Sequence, residues 1–190
     1  MGELGRYEME YPNLTPKDTV EEMFAPIAFL ISDTHFDHEN IIKYQKRPFP
    51  TLGCMNYELE RRWNAIVRPE DTVYMLGDLA FKHPRQWLRR LNGNIIYING
   101  NHGDKGVADY LVMHFEGTQY LLIHDPINVP EHYDGWVIHG HHHADMLDDY
   151  PLINPKTKSV NVSVELTKYA PVPFSQIHKL VKQNKRVMEL

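Results

Sequence analysis

Three short apolar runs, each ending abruptly in polar residues, constrain the fold of this chain more than any other feature. Residues 26–31 empty into Ser32, Asp33, Thr34 and His35, residues 71–76 into Gly77 and Asp78, and residues 94–98 into Asn99, Gly100, Asn101 and His102. A short, nearly continuous apolar run is the pattern of a strand covered on both faces. Between the first two runs, Leu59, Trp63, Ile66 and Val67 recur at helical spacing with Glu60, Arg61 and Arg62 opposite, which predicts a helix over 56–67 ended near Pro69. Pro84 suits the first turn of a second helix that carries Trp87, Leu88 and Leu91 and is closed by Asn92 and Gly93. Strands joined by crossover helices form an α/β arrangement, whose sites lie outside the carboxyl ends of the strands.

Beyond Gly106 strands dominate. Residues 111–115 and 119–124, joined through Glu116 and Gly117, read as a hairpin, and residues 136–139 as another strand. Residues 159–164 alternate apolar and polar, so one buried face is expected. A last helix is predicted from Ile177, Leu180 and Val181, with Ser175 as N-cap and a basic end at Lys182, Lys185 and Arg186. At 190 residues one core suffices. Residues 26–190 are read as a single domain, and residues 1–25, interrupted by Pro12 and Pro16, as an N-terminal arm.

A formal charge of −5 argues against broad capture of nucleic acid. The basic runs at 85–90 and 179–186 fall on predicted helices and read as solvated faces. Cys54 is the sole cysteine, so no intrachain disulfide forms and any metal must be held by nitrogen and oxygen. The start of the chain lacks a basic, then apolar, leader, and no run reaches the roughly 18 apolar residues of a spanning helix. A cytoplasmic protein with no membrane partner is the expectation. Met1 and Gly2 suggest myristoylation, but Arg6 stands where that motif needs Ser or Thr.

The densest chemistry follows the run 137–139, which ends in Gly140, His141, His142 and His143. On an extended segment His141 and His143 would face one site and His142 elsewhere. Five pieces now stand in order: Asp33 with His35, Gly77 with Asp78, Gly100 with Asn101 and His102, His124, and Gly140 with His141 and His143. Each alone reads as a turn or a strand end. Together, at successive predicted strand ends and offering only oxygen and imidazole ligands, they point to one metal site.

With these blocks the chain resembles the calcineurin-like metallophosphoesterases, whose D-x-H, G-D, G-N-H, lone H and G-H-x-H motifs they match across residues 33–143. The resemblance implies an α/β fold, a two-sheet β-sandwich flanked by helices, with a dimetal site at strand C-terminal ends. It implies that Asp33, His35 and His143 hold one metal and that Asn101, His124 and His141 hold the second. Asp78 would bridge them, and His102 would act on the substrate phosphate as the catalytic residue. His38 and Asn40 would line the substrate pocket, with a turn or helix cap as the other reading of His38.

The activity so implied is hydrolysis of a phosphoester through in-line attack by a metal-bridging hydroxide, with a lean toward phosphodiester or nucleotide substrates. Two divalent or transition-metal ions are expected, manganese first, with iron, zinc, nickel or cobalt also compatible with the ligands. Nucleic acid enters only as a substrate, and oligomeric state stays open. The other class is a non-catalytic, metal-binding interaction scaffold of the same fold. One departure stands out: Gly103 separates His102 from Asp104, where an acid usually follows the motif directly. Asp104 reads either as a support for His102 or as a turn residue. His139 is a candidate support near the metals, while His83, His114, His132 and His178 are assigned to surface or packing.

Overall fold

The computed structural model describes residues 27–102 and 105–190. The arm read over residues 1–25, and Gly103 and Asp104, lie outside the described residues. Strands β1 (Ala28–Ile31), β2 (Thr72–Leu76) and β3 (Asn94–Ile98) are parallel neighbours in a four-stranded sheet of order β3-β2-β1-β9. Its last member, β9 (Val172–Pro173), pairs antiparallel with β1. The five-stranded second sheet has the order β4-β5-β6-β8-β7. It is built from β4 (Tyr110–Phe115), β5 (Thr118–Ile123), β6 (Trp136–His139), β7 (Ile153–Asn154) and β8 (Ser159–Asn161). The fold is therefore a mixed α/β arrangement of two sheets flanked by helices, as expected.

Alternation along β1 shows why its sequence is apolar throughout. Phe29 and Ile31 enter a core with Met55, Leu59 and Trp63 of α2 (Leu52–Ile66) and Trp87 of α3 (Pro84–Arg90). Leu30 enters the other core, between the sheets, with Tyr120, Leu122, Ile138 and Val160. Phe174, Ile177 and Val181 of α4 (Phe174–Lys182) close that second core. Trp63 is the largest side chain among those fully buried, and its indole N–H donates to Asn92 O at 2.9 Å. Truncating such a residue typically costs about 3–5 kcal/mol.

The hairpin forms through Glu116 and Gly117, both at positive φ (45° and 70°), which is the backbone of a type I′ turn. Other expectations need correction. Helix α2 begins at Leu52 rather than 56, because the Thr51 side chain accepts from Cys54 N and starts the helix one turn earlier. Helix α1 (Glu39–Tyr44) was not evident in the sequence, because it is short and buries only Ile41. In α4 the N-cap position is Pro173, so Ser175 lies inside the first turn, and the helix ends at Lys182, before Lys185 and Arg186. Residues 159–164 do not have one wet face: Ser159, Asn161 and Ser163 are as buried as the valines between them. The polar groups of Asn161 and Ser163 serve the site described next, while the Ser159 hydroxyl meets Thr157 Oγ1 at 2.7 Å.

Candidate metal centre

The blocks that follow β1, β2, β3, β5 and β6 gather at one edge of the two sheets. Ser32 joins the sheets there, its N–H donating to Val162 O at 3.0 Å and its carbonyl accepting from Val164 N at 3.1 Å. The segment after β1 keeps its parallel course beside the segment after β2, through Asp33 N to Gly77 O, His35 N to Asp78 O and Phe36 N to Leu79 O. Within these turns Asp33, His35, Asp78 and His141 all have φ between 52° and 67°. Left-handed backbone is uncommon for non-glycine residues, least so for Asp, Asn and His, and is held only where the surroundings over-determine it. Here it folds the side chains of consecutive blocks inward.

Ligand atoms of Asp33, His35 and His143 lie within 4.8 Å of one another, and so do those of Asp33, Asp78 and His124. His35 Nε2 is 3.8 Å from Asp33 Oδ1 and 3.7 Å from Asp78 Oδ2, and His124 Nε2 is 3.5 Å from Asp78 Oδ2. Asp78 Oδ2 thus stands between the two imidazoles. Asp33 Oδ1 and His124 Nε2 are buried and, among the described residues, have no hydrogen-bond partner. Unpartnered buried polar atoms of this kind are costly, and they call for a ligand. Among the described residues these two groups offer carboxylate oxygens and imidazole nitrogens, a donor set that fits a divalent cation.

The remaining atoms are spent on orientation. His124 Nδ1 lies 2.8 Å from Leu76 O, so it carries the proton and leaves Nε2 with its lone pair. His143 Nδ1 lies 3.1 Å from Glu165 Oε2, with Nε2 toward Asp33. Asp33 Oδ2 accepts from His141 N at 2.9 Å and from Ser163 Oγ at 3.0 Å. Asp78 Oδ1 accepts from His102 N at 2.8 Å. Asn101 and His141 meet across 3.3 Å, side chain to Nδ1, while His141 Nε2 faces Asp125 Oδ2 at 3.8 Å. Gly77, at φ +88°, has no room for a side chain: a Cβ there would strike His124 Nδ1.

The electrostatics follow from burial and proximity. Burial opposes charge on Asp33, but the imidazoles of His124, His143 and His35 outweigh it and hold the carboxyl well below the usual carboxylate range. Burial pushes His35 down to about 3. Asp78 is raised by burial and by the Asp33 carboxylate, against the pull of His124. Burial also works against the charged form of His143, yet Glu165 and Asp33 raise it. A cluster with two carboxylates and several imidazoles pulling in opposite directions is typical of a functional site.

The other predicted residues are placed as follows. The His102 ring is exposed, with its centroid 6.2 Å from that of His35. His38 is 5.4 Å from His35 and stacks on Phe81 at 4.8 Å; it occupies the N-cap position of α1 without a side-chain cap bond. Asn40 is exposed in the first turn of α1, and among the described residues no hydrogen bond or ring contact joins it to the centre. His142 stacks on Tyr150 at 3.5 Å, away from the centre. Its separation from His141 and His143 comes from the left-handed His141, not from the strand alternation expected. His139 is fully buried, donates from Nδ1 to Gly140 O at 2.8 Å, and is pushed down to about 4 by burial. His83, His114 and His132 are exposed, and His178 is buried against Tyr120.

Arg47, Ser163 and Glu165 were missed. In sequence a buried Arg or Glu is indistinguishable from a surface one, and only the polar positions in the 159–164 alternation carried a trace of the signal.

Uncharacterized protein MJ1445 of Methanocaldococcus jannaschii is 50% identical over 165 residues, spanning 84% of this chain and 93% of that protein. The chain belongs to the same family. No family model matches it. Among solved structures, the protein of unknown function AQ665 from Aquifex aeolicus is similar at 26% identity and a TM-score of 0.64, covering 82% of this chain and all of that one. A predicted phosphoesterase from Streptococcus pneumoniae TIGR4 is 18% identical over 73% of this chain and 71% of its own, with a TM-score of 0.36, too slight a likeness to carry an argument.

Proposed function

We propose that this protein is a metal-dependent phosphoesterase with a two-metal centre, hydrolysing a phosphodiester or nucleotide in preference to a simple monoester. The observation that carries the reading is the pair of buried, unpartnered ligand atoms, Asp33 Oδ1 and His124 Nε2, facing one gap with His35, Asp78 and His143. Asp33, His35 and His143 would hold one cation; His124, Asn101 and His141 the other; Asp78 would serve both. When bound, such a pair supplies Lewis acidity and lowers the pKa of a coordinated water toward neutrality.

The chain's own residues define the rest. His124 turns Nδ1 to Leu76 O and His143 turns Nδ1 to Glu165, so each ring presents Nε2 to the gap. His102 is tied to Asp78 through its backbone, so its exposed ring is held at the rim, where it can give a proton to a leaving oxygen. Among the described residues no helix is long and apolar enough to cross a membrane. A cytoplasmic location completes the proposal.

The test is a metal-free preparation reconstituted separately with Mn²⁺, Fe²⁺, Zn²⁺, Ni²⁺ and Co²⁺ and assayed on bis(p-nitrophenyl) phosphate, p-nitrophenyl phosphate and cyclic nucleotides. Turnover restored by metal, faster on diesters, supports the reading. Tight binding of metal without hydrolysis of any ester overturns it in favour of a non-catalytic scaffold.

A further inference from the structure

Arg47 is buried, and its guanidinium is divided between two parts of the chain. Nη1 donates to Thr34 O at 2.8 Å and Nη2 to Asp33 O at 2.7 Å, so it grips the backbone of the first ligand block. Nε donates to Glu165 Oε1 at 2.8 Å, and the other carboxylate oxygen, Oε2, meets His143 Nδ1 at 3.1 Å. The line Asp33–Arg47–Glu165–His143 therefore joins the first ligand block to the last without touching the gap between them. Both charged side chains are nearly inaccessible, at 0% and 3%.

A buried ion pair is weak evidence of stabilisation, because desolvating both charges offsets most of their attraction; apolar residues of the same volume often serve stability as well. What apolar residues cannot do is orient an imidazole. A carboxylate on the far nitrogen of a ligating His fixes the tautomer, aims the ring and raises its basicity. Arg47 in turn holds Glu165 by one oxygen, with Nε and Nη2 each 2.8 Å from Oε1, and leaves Oε2 for His143.

The geometry points to Glu165 and Arg47 as positioning residues that set the metal affinity of the Asp33–His35–His143 site. The inference rests on the two-metal reading above. It predicts that Glu165→Gln, which keeps the shape and an acceptor but loses the charge, weakens that one site roughly 10–100-fold. The other site should be unaffected.

The experiment titrates the metal-free full chain with Co²⁺, following calorimetry and the visible absorption of the bound ion. The binding event lost in His143→Ala marks the site. Glu165→Gln should weaken that event and alter its absorption band, with Arg47→Lys acting in the same direction. Wild-type affinity and spectrum in a folded Glu165→Gln protein, or weakening of the other event alone, would overturn the role. So would a change confined to the melting temperature of the metal-free protein, which is what a packing role would give. Should Glu165→Gln not fold, nitrogen NMR of the Zn²⁺-loaded wild type and Arg47→Lys decides: a His143 Nδ1 resonance that moves when Arg47 is replaced supports the inference, and an identical resonance in both overturns it. A wild type that binds Co²⁺ yet hydrolyses none of the phosphoesters named above overturns the phosphoesterase reading and leaves the Glu165 result standing. An active wild type with unchanged affinity in Glu165→Gln overturns the positioning role alone.

Discussion

The hydroxyl of Ser163 lies 3.0 Å from Oδ2 of Asp33, the two residues 130 positions apart and both at 0% exposure. The same hydroxyl is 2.8 Å from Asn161 Oδ1 and 3.2 Å from His142 O, but it has one proton to give, and a charged acceptor makes the stronger bond. Its gift leaves Oδ1 of Asp33 as the oxygen that faces the imidazoles. Ser163→Ala is expected to destabilise the fold by about 2 kcal/mol, the worth of a hydrogen bond to a charged group. Urea unfolding of the metal-free variant measures it, and a change within error would show that the bond is not made.

Asp78 and His102 should separate metal binding from turnover. Asp78→Asn removes the charge between His35 and His124 and is expected to abolish uptake of a second metal together with activity, read by metal analysis of the purified protein. His102→Ala should retain both metals and lose roughly 10²–10⁴-fold in turnover, the usual contribution of a general acid. Full activity in the His102 variant would remove its assigned role.

Gly140 has no space for a methyl group: a Cβ would collide with Ser32 Oγ and Asp33 Oδ2. Gly140→Ala must push the β6 turn away from the end of β1, and overpacking of this kind costs about 1–3 kcal/mol. The expected outcome is a lower melting temperature and weaker metal binding in the same variant. An unchanged melting temperature would contradict the close approach.

His139 predicts an acid sensitivity of the metal-free fold. Its pKa is about 4 in the folded protein against 6.5 ordinarily, because burial disfavours the imidazolium. Above pH 6.5 both states are neutral there and the residue contributes nothing. As pH falls from 6.5 to 4 the unfolded chain takes up a proton that the folded chain does not, so stability is lost, by ~3 kcal/mol over that window. His139→Gln, which cannot titrate, should show that much less loss between pH 7 and 4 in denaturant unfolding. Parallel curves for the two proteins would rule the burial effect out.

The parallel strands β1, β2 and β3, the hairpin and the polar blocks that follow the strands were legible in the sequence because each is written locally. An apolar run of strand length, a turn residue such as Gly117, or an Asp and a His placed directly after β1 depends on neighbours in the chain. Periodicity failed where a polar residue was buried for a distant reason: Asn161 and Ser163 look like a wet face, and become the inner support of Asp33 and of the His142 carbonyl.

The sequence by itself determined which side chains arrive at the strand ends and that they can bind metal only through nitrogen and oxygen. Tertiary structure alone decided that Arg47 and Glu165, 118 positions apart, are buried together behind His143, and that His141 turns through left-handed backbone to part from His142. The reason is physical. Strand and helix patterns are set by repeating local geometry, whereas the partner of a charge and the φ of a turn are set by where the two sheets meet, at Ser32 and Ser163.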